Sequence, residues 1–119
     1  MLQVLETVDG ETPASFATDT AVGWLVNSKT EDIEYMRMYL DIYTFDDKAT
    51  AWKMIDRIMS SVCNTVIIQM QDYLGLGSES RMNTPSALGS NWSWRMKKED
   101  INHELAKRII HVTGLYKRV

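Results

Sequence analysis

Between Gln71 and Met96 the chain gathers the side chains that hold a polar ligand. It carries Asn83 and Asn91, Trp92 and Trp94 two positions apart, and Arg81 and Arg95 on either side. Amides donate and accept hydrogen bonds at once. Indole rings offer broad faces that pack well. Little helical periodicity runs through the stretch, and Gly75 and Gly77 open it. Long irregular connections are uncommon in compact domains and are often functional. We read this loop, which follows an apolar run, as the rim of a binding site.

Residues with catalytic or metal-binding potential are few. Asp72, at the end of the apolar run, has the position of a catalytic acid. Turn chemistry favours a structural role for it, capping the loop that follows. Cys63 is the only cysteine, so no internal disulfide forms, and a reducing cytoplasm fits. It reads as a small buried hydrophobe, with no His or Asp beside it in sequence. His103 and His111 fall on one expected helix, about 12 Å apart along its axis. That is too far to share one zinc, whose ligand bonds are about 2 Å. Neither a metal nor a cofactor is expected.

The elements that must position the loop are legible from spacing. Residues 1 to 8 suit a short strand, and Asp9-Gly10 a turn. Asp19 or Thr20 caps a short helical stretch through Trp24. Ser28 and Glu31 have the spacing of a capping box, opening a helix from about Lys29 to Ile42. Asp46 and Asp47 open another, to about Ser61, with Ala51, Met54, Ile55, Ile58, Met59 and Val62 as its apolar stripe. The β-branched run Thr65 to Met70 reads as a strand covered on both faces, as in a parallel sheet. A last helix runs from about Asn102 to Tyr116, with Leu105, Ile109, Val112 and Tyr116 inward and Lys117 and Arg118 at its negative end. Trp24 and Trp52 sit at core positions.

At 119 residues and 45% hydrophobic, the chain is about one small domain. Thirteen basic against sixteen acidic residues leave a net charge of −3, and no basic stripe with interleaved aromatics appears, so no nucleic-acid partner is expected. Arg95 to Lys98 reads as a solvated junction. No run approaches the ~20 apolar residues of a membrane span, and residues 1 to 25 lack a secretory core. One strand of buried type has no neighbours within the chain, except residues 1 to 8. On physical grounds this is a piece of a larger α/β protein.

The loop resembles the C-terminal part of the 4-alpha-glucanotransferases (amylomaltases, or disproportionating enzymes) of glycoside hydrolase family 77. The family pattern there is Gln-Asp, Leu-Gly-Leu-Gly-x-Glu-x-Arg-Met-Asn-x-Pro, then Asn-Trp-x-Trp-Arg. It stands here as Gln71-Asp72, Leu74 to Gly77, Glu79, Arg81 to Asn83, Pro85, and Asn91 to Arg95. Asp19 to Trp24 resembles the segment just after the family's His-Asp-Asn motif, and Glu104 to Tyr116 its end. The resemblance covers residues 19 to 118, leaving 1–18 as a non-matching segment.

The resemblance implies the C-terminal fragment of a TIM (β/α)8 barrel, mostly helical with one or two strands. Residues 19–119 would be its last β/α units, the strand after Cys63 its eighth, and the loop part of the face where barrel active sites lie. It implies transfer of α-1,4-glucan segments between malto-oligosaccharides with retention, which needs two carboxyl groups. In the family both lie upstream of this chain. His-Asp-Asn falls on Phe16, Ala17 and Thr18, as expected of a truncation, frameshift or alternative start near residue 18. No catalytic residue is therefore assigned, and the isolated chain is expected to be inactive.

Asn83, Asn91, Trp92 and Trp94 become the candidate substrate-binding residues. In an extended segment the two tryptophans point to opposite sides: one presents its face to a glucose unit and the other packs inward, or both anchor the loop. The asparagines bind sugar hydroxyls or serve the turns before Pro85 and around Gly89. Arg81 and Arg95 pair with a rim carboxylate or brace the loop. The partners expected are a malto-oligosaccharide and the missing N-terminal barrel part. Two alternatives remain: a non-catalytic remnant, folding alone or on another chain, and a small glucan-binding module.

Overall fold

The computed structural model describes residues 3–5 (as backbone), 19–84 and 86–118. The turn expected at Asp9-Gly10 lies outside them. The elements run β1 (Gln3–Leu5), α1 (Ala21–Asn27), α2 (Thr30–Leu40), α3 (Asp47–Met59), β2 (Thr65–Ile67), α4 (Met70–Leu74) and α5 (His103–Leu115). Single 3-10 turns stand at Ser78–Ser80 and Lys98–Asp100. The described residues are thus mostly helical with two short strands.

Each of the three capped helices begins where a short polar side chain takes over an orphan amide. Thr20 Oγ1 accepts from the Gly23 amide at 3.0 Å, Asp46 Oδ1 from Ala49 at 2.6 Å, and Asn102 Oδ1 from Leu105 at 2.9 Å. Each such cap is worth about 1 kcal/mol. The capping box expected at Ser28 is not formed. Lys29 precedes α2 without a side-chain cap, and Ser28 instead closes α1, its amide donating to the Trp24 carbonyl. Two helices meeting with so few residues between them leave Ser28 to end the first rather than start the second.

The core sits around α3. Ala51, Met54, Ile55 and Met59 are buried on its inner face, joined by Ala21, Ile42 and Val112, with Trp24, Trp52, Tyr73 and Tyr116 packed against them. The methionine stripe is core, as its spacing predicts. Val62 departs from it. The helix has ended at Met59, so Val62 is off the helical period and 98% exposed.

The strand differs most from expectation. It spans only Thr65–Ile67, pairs antiparallel with β1 (Gln3 opposite Ile67, Leu5 opposite Thr65), and leaves Thr65 and Ile67 exposed. Among the described residues no second strand flanks it and no helix covers its outer face. Its β-branched sequence suits burial that the described residues do not provide. Met70 then starts α4, where sequence suggested strand, and Gly75 ends it at φ +65°, a left-handed position that favours glycine.

Candidate functional site

Two buried polar residues on α4 fix the start of the loop. Gln71 donates from Nε2 to the Ser80 carbonyl at 3.0 Å. Asp72 is fully buried, and its Oδ1 accepts from the Ala21 amide at 2.7 Å, at the first turn of α1. Its Oδ2 is buried with no hydrogen-bond partner among the described residues. Burial raises the Asp72 pKa above the carboxylate norm, the Asp19 charge adds to this, and the Ala21 amide opposes it. Asp72 is structural, as turn chemistry suggested, but it caps a helix far away in sequence rather than its own loop.

A second link lies beside it. The Ser78 hydroxyl donates to Asp19 Oδ2 at 2.6 Å and accepts from Asn27 Nδ2 at 2.9 Å. Arg81 Nη1 approaches the same Asp19 oxygen at 3.7 Å. The two ends of α1 are thereby tied to the glycine-rich turn of residues 75–81. Sequence reasoning took Asp19 only as a possible helix cap and gave Asn27 and Ser78 no role. Their partners lie 51 and 59 positions away, and no local pattern signals such pairs.

Gly23 shows how tight this junction is. A Cβ there would stand 2.4 Å from Ser78 Oγ and 2.5 Å from Asp19 Oδ1. Gly23→Ala should therefore push the Asp19–Ser78 hydrogen bond apart and cost about 1–3 kcal/mol. Urea unfolding of the two proteins measures it, and equal midpoints would show that the junction yields freely.

The loop beyond is held by its own side chains. Asn91 Oδ1 accepts from the Thr84 amide at 2.9 Å and Nδ2 donates to the Ala87 carbonyl at 3.1 Å. Both ends of that amide serve the turn. Arg81 Nε donates to the Asn83 carbonyl at 3.0 Å, and Arg95 Nη1 to the Trp92 and Trp94 carbonyls at 2.9 and 2.8 Å. Both arginines brace the loop. The Trp92 amide donates to the Met82 carbonyl at 2.6 Å, which draws Asn83 and Trp92 to the two sides of one closure.

Trp92 has φ +63°, a rare conformation for so bulky a residue, and its side chain is 48% exposed. Backbone strain that presents an aromatic ring to solvent is characteristic of binding loops. Trp94 is half-buried, as is Asn83. The tryptophans differ in exposure, but the left-handed turn at Trp92, not strand alternation, separates them.

Cys63 is half-buried, and His103 and His111 are exposed. No group of three or more His, Cys, Asp or Glu with metal-binding geometry occurs among the described residues. No helix among them is long and apolar enough to cross a membrane. A groove of about 700 Å³ runs beside β2, lined by Cys63, Val66, Ile68, Tyr73 and Tyr116 among others.

Comparison with known proteins bears on all of this. The sequence model of the 4-alpha-glucanotransferase family of glycoside hydrolases, family 77, matches residues 12–102. A 4-alpha-glucanotransferase of Clostridium butyricum is 41% identical over 105 residues, covering 84% of this chain and 20% of the relative. A chloroplastic/amyloplastic 4-alpha-glucanotransferase of Solanum tuberosum is 35% identical over 104 residues, 85% of this chain and 18% of the relative. Among solved structures, the amylomaltase of Streptococcus agalactiae in complex with acarbose superposes with a TM-score of 0.78 at 28% identity. It covers 86% of this chain and 20% of that one. The chain belongs to the 4-alpha-glucanotransferase family, and it spans about one fifth of the length of the relatives it matches.

Proposed function

We propose that this member of the 4-alpha-glucanotransferase family is the glucan-holding C-terminal part of such an enzyme, with residues 19–119 as the last β/α units of a TIM (β/α)8 barrel. The observation that carries this is the superposition of 86% of the chain on one fifth of an amylomaltase, with a TM-score of 0.78. A strand of buried-type sequence with exposed Thr65 and Ile67, beside an open groove, supports a missing neighbour strand. A complete barrel needs roughly 250 residues, so the other strands belong to a partner polypeptide or to a longer chain.

The reaction is a retaining transfer of α-1,4-glucan segments between malto-oligosaccharides, in a cytoplasmic setting. Retention requires one carboxylate as nucleophile and a second carboxyl group as acid and then base. We assign neither to this chain. Its acidic residues at the site, Asp19, Asp72 and Glu79, are taken up with Ser78, with the Ala21 amide and with the Gly77 amide. The chain contributes position and contact. Trp92 offers its exposed face to a glucose ring, Trp94 supports it from the half-buried side, Asn83 meets sugar hydroxyls, and Asn91 shapes the loop that presents them.

Two results test this reading. Purified polypeptide incubated with maltotriose should form neither glucose nor longer oligosaccharides, and product formation would refute the assignment. Trp92→Ala should weaken maltoheptaose binding about tenfold, as loss of one aromatic face predicts, with the helical circular dichroism unchanged. Unaltered affinity would remove Trp92 from the site.

A further inference from the structure

We propose that α2 carries a second carbohydrate-binding surface, on which Tyr35 and Tyr39 take a segment of α-1,4-glucan apart from the tryptophan loop. The inference rests on the glucan reading above. Among the described helices of more than two turns, α2 alone has no fully buried side chain, though Met36 and Leu40 pack partly buried against the core. Tyr35 and Tyr39 stand one helical turn apart, 64% and 77% exposed. Their ring centroids are 6.3 Å apart and their planes only 15° apart. Tyr43 and Phe45, 80% and 89% exposed, continue the aromatic run past the end of the helix.

Charged groups are interleaved with these rings. The Arg37 guanidinium lies 5.3 Å from the Phe45 centroid and donates to the Thr44 carbonyl. Asp41 lies two positions before Tyr43, and Glu34 adjoins Tyr35 in sequence. A face meant for another protein's apolar core would be depleted of charge at its centre. This one alternates rings with acceptors and donors. A pyranose matches that mixture, since its C–H face packs on an aromatic ring while its equatorial hydroxyls reach carboxylate and guanidinium partners.

The test is calorimetric titration of the chain with maltoheptaose, with cellohexaose as the β-linked control, for wild type, Y35A/Y39A, Y35F/Y39F and Trp92→Ala. Both tyrosines are exposed, so the double variant keeps its fold, and circular dichroism verifies this. The expected result is about tenfold weaker maltoheptaose binding at one site in Y35A/Y39A, retained in Y35F/Y39F. Trp92→Ala should affect a separate binding event. A Y35A/Y39A titration identical to wild type, including no binding in either, overturns the α2 surface. If Trp92→Ala alone removes all binding, the loop reading stands and this one falls. A change of oligomeric state in Y35A/Y39A without a change in sugar affinity would make the face a self-association surface and overturn the proposal equally.

Discussion

Arg118→Ala is expected to lower the free energy of unfolding by about 3 kcal/mol, a large fraction of the stability of a small domain. The guanidinium reaches back across the fold to the end of α3. Nε donates to the Met59 carbonyl at 2.5 Å, Nη1 to Cys63 at 2.8 Å and Nη2 to Ser61 at 2.6 Å. These carbonyls lie at and just beyond the helix C-terminus, where acceptors are orphaned and the helix dipole is negative. Bonds from a charged donor are worth about 1.5–3 kcal/mol each. Arg118 is only half-buried, so solvent screening reduces the sum toward the figure given. Arg118→Lys should recover about a third of the loss, because an ammonium cannot span three carbonyls as a planar fork does. Urea denaturation of the three proteins decides it. A lysine variant as stable as wild type would mean that charge, not the fork, holds the helix end.

The second large effect is a pH dependence located at Asp72. Burial raises its pKa above the usual 3.8, with help from Asp19 and against the Ala21 amide. The folded chain therefore holds this proton at a pH where the unfolded chain has released it. Stability from Asp72 is fully present below 3.8 and declines as pH rises through the raised value. This is opposite in sign to a salt-bridged carboxylate. Asp72→Asn keeps an oxygen for the Ala21 amide and has no proton to lose. Subtracting the two unfolding curves cancels the other titrating groups. The difference should move in favour of the asparagine variant as pH rises above 3.8 and level off beyond the raised pKa. A flat difference would show that burial leaves the carboxyl unshifted, and one favouring aspartate with rising pH that the carboxylate is stabilised as an ion. Asp72→Ala should cost about 1–3 kcal/mol below pH 3.8, because the buried Ala21 amide then loses its acceptor, and less as pH rises through the raised pKa.

What the sequence made legible divides along a physical line. The helices around Ala51 to Met59 and Leu105 to Val112 were readable because a 3.6-residue period and a capping side chain are local signals. The loop was readable as a loop, and Arg81 and Arg95 as braces. The strand was misplaced in extent, direction and burial. Its β-branched residues report the environment of a complete sheet, and the described residues supply only Gln3–Leu5 beside it. Lys117 and Arg118 suited the end of α5 by the dipole argument. Yet Arg118 serves α3, because Lys117 turns the backbone to φ +53° and aims it there. The Asp19–Ser78–Asn27 junction and the Asp72–Ala21 bond joined positions more than fifty residues apart, which neither periodicity nor spacing can encode. Family likeness pointed to the segments, but only the geometry showed that they meet.

The central claim is that the loop of this chain holds an α-1,4-glucan. Thermal unfolding followed by circular dichroism, with and without maltoheptaose, tests it. A ligand bound only by the folded state adds about 2.7 kcal/mol of stability at a hundredfold excess over its Kd. The predicted result is a single cooperative transition whose midpoint rises with maltoheptaose and not with cellohexaose. A transition without cooperativity, or one that maltoheptaose leaves unmoved, would contradict the account.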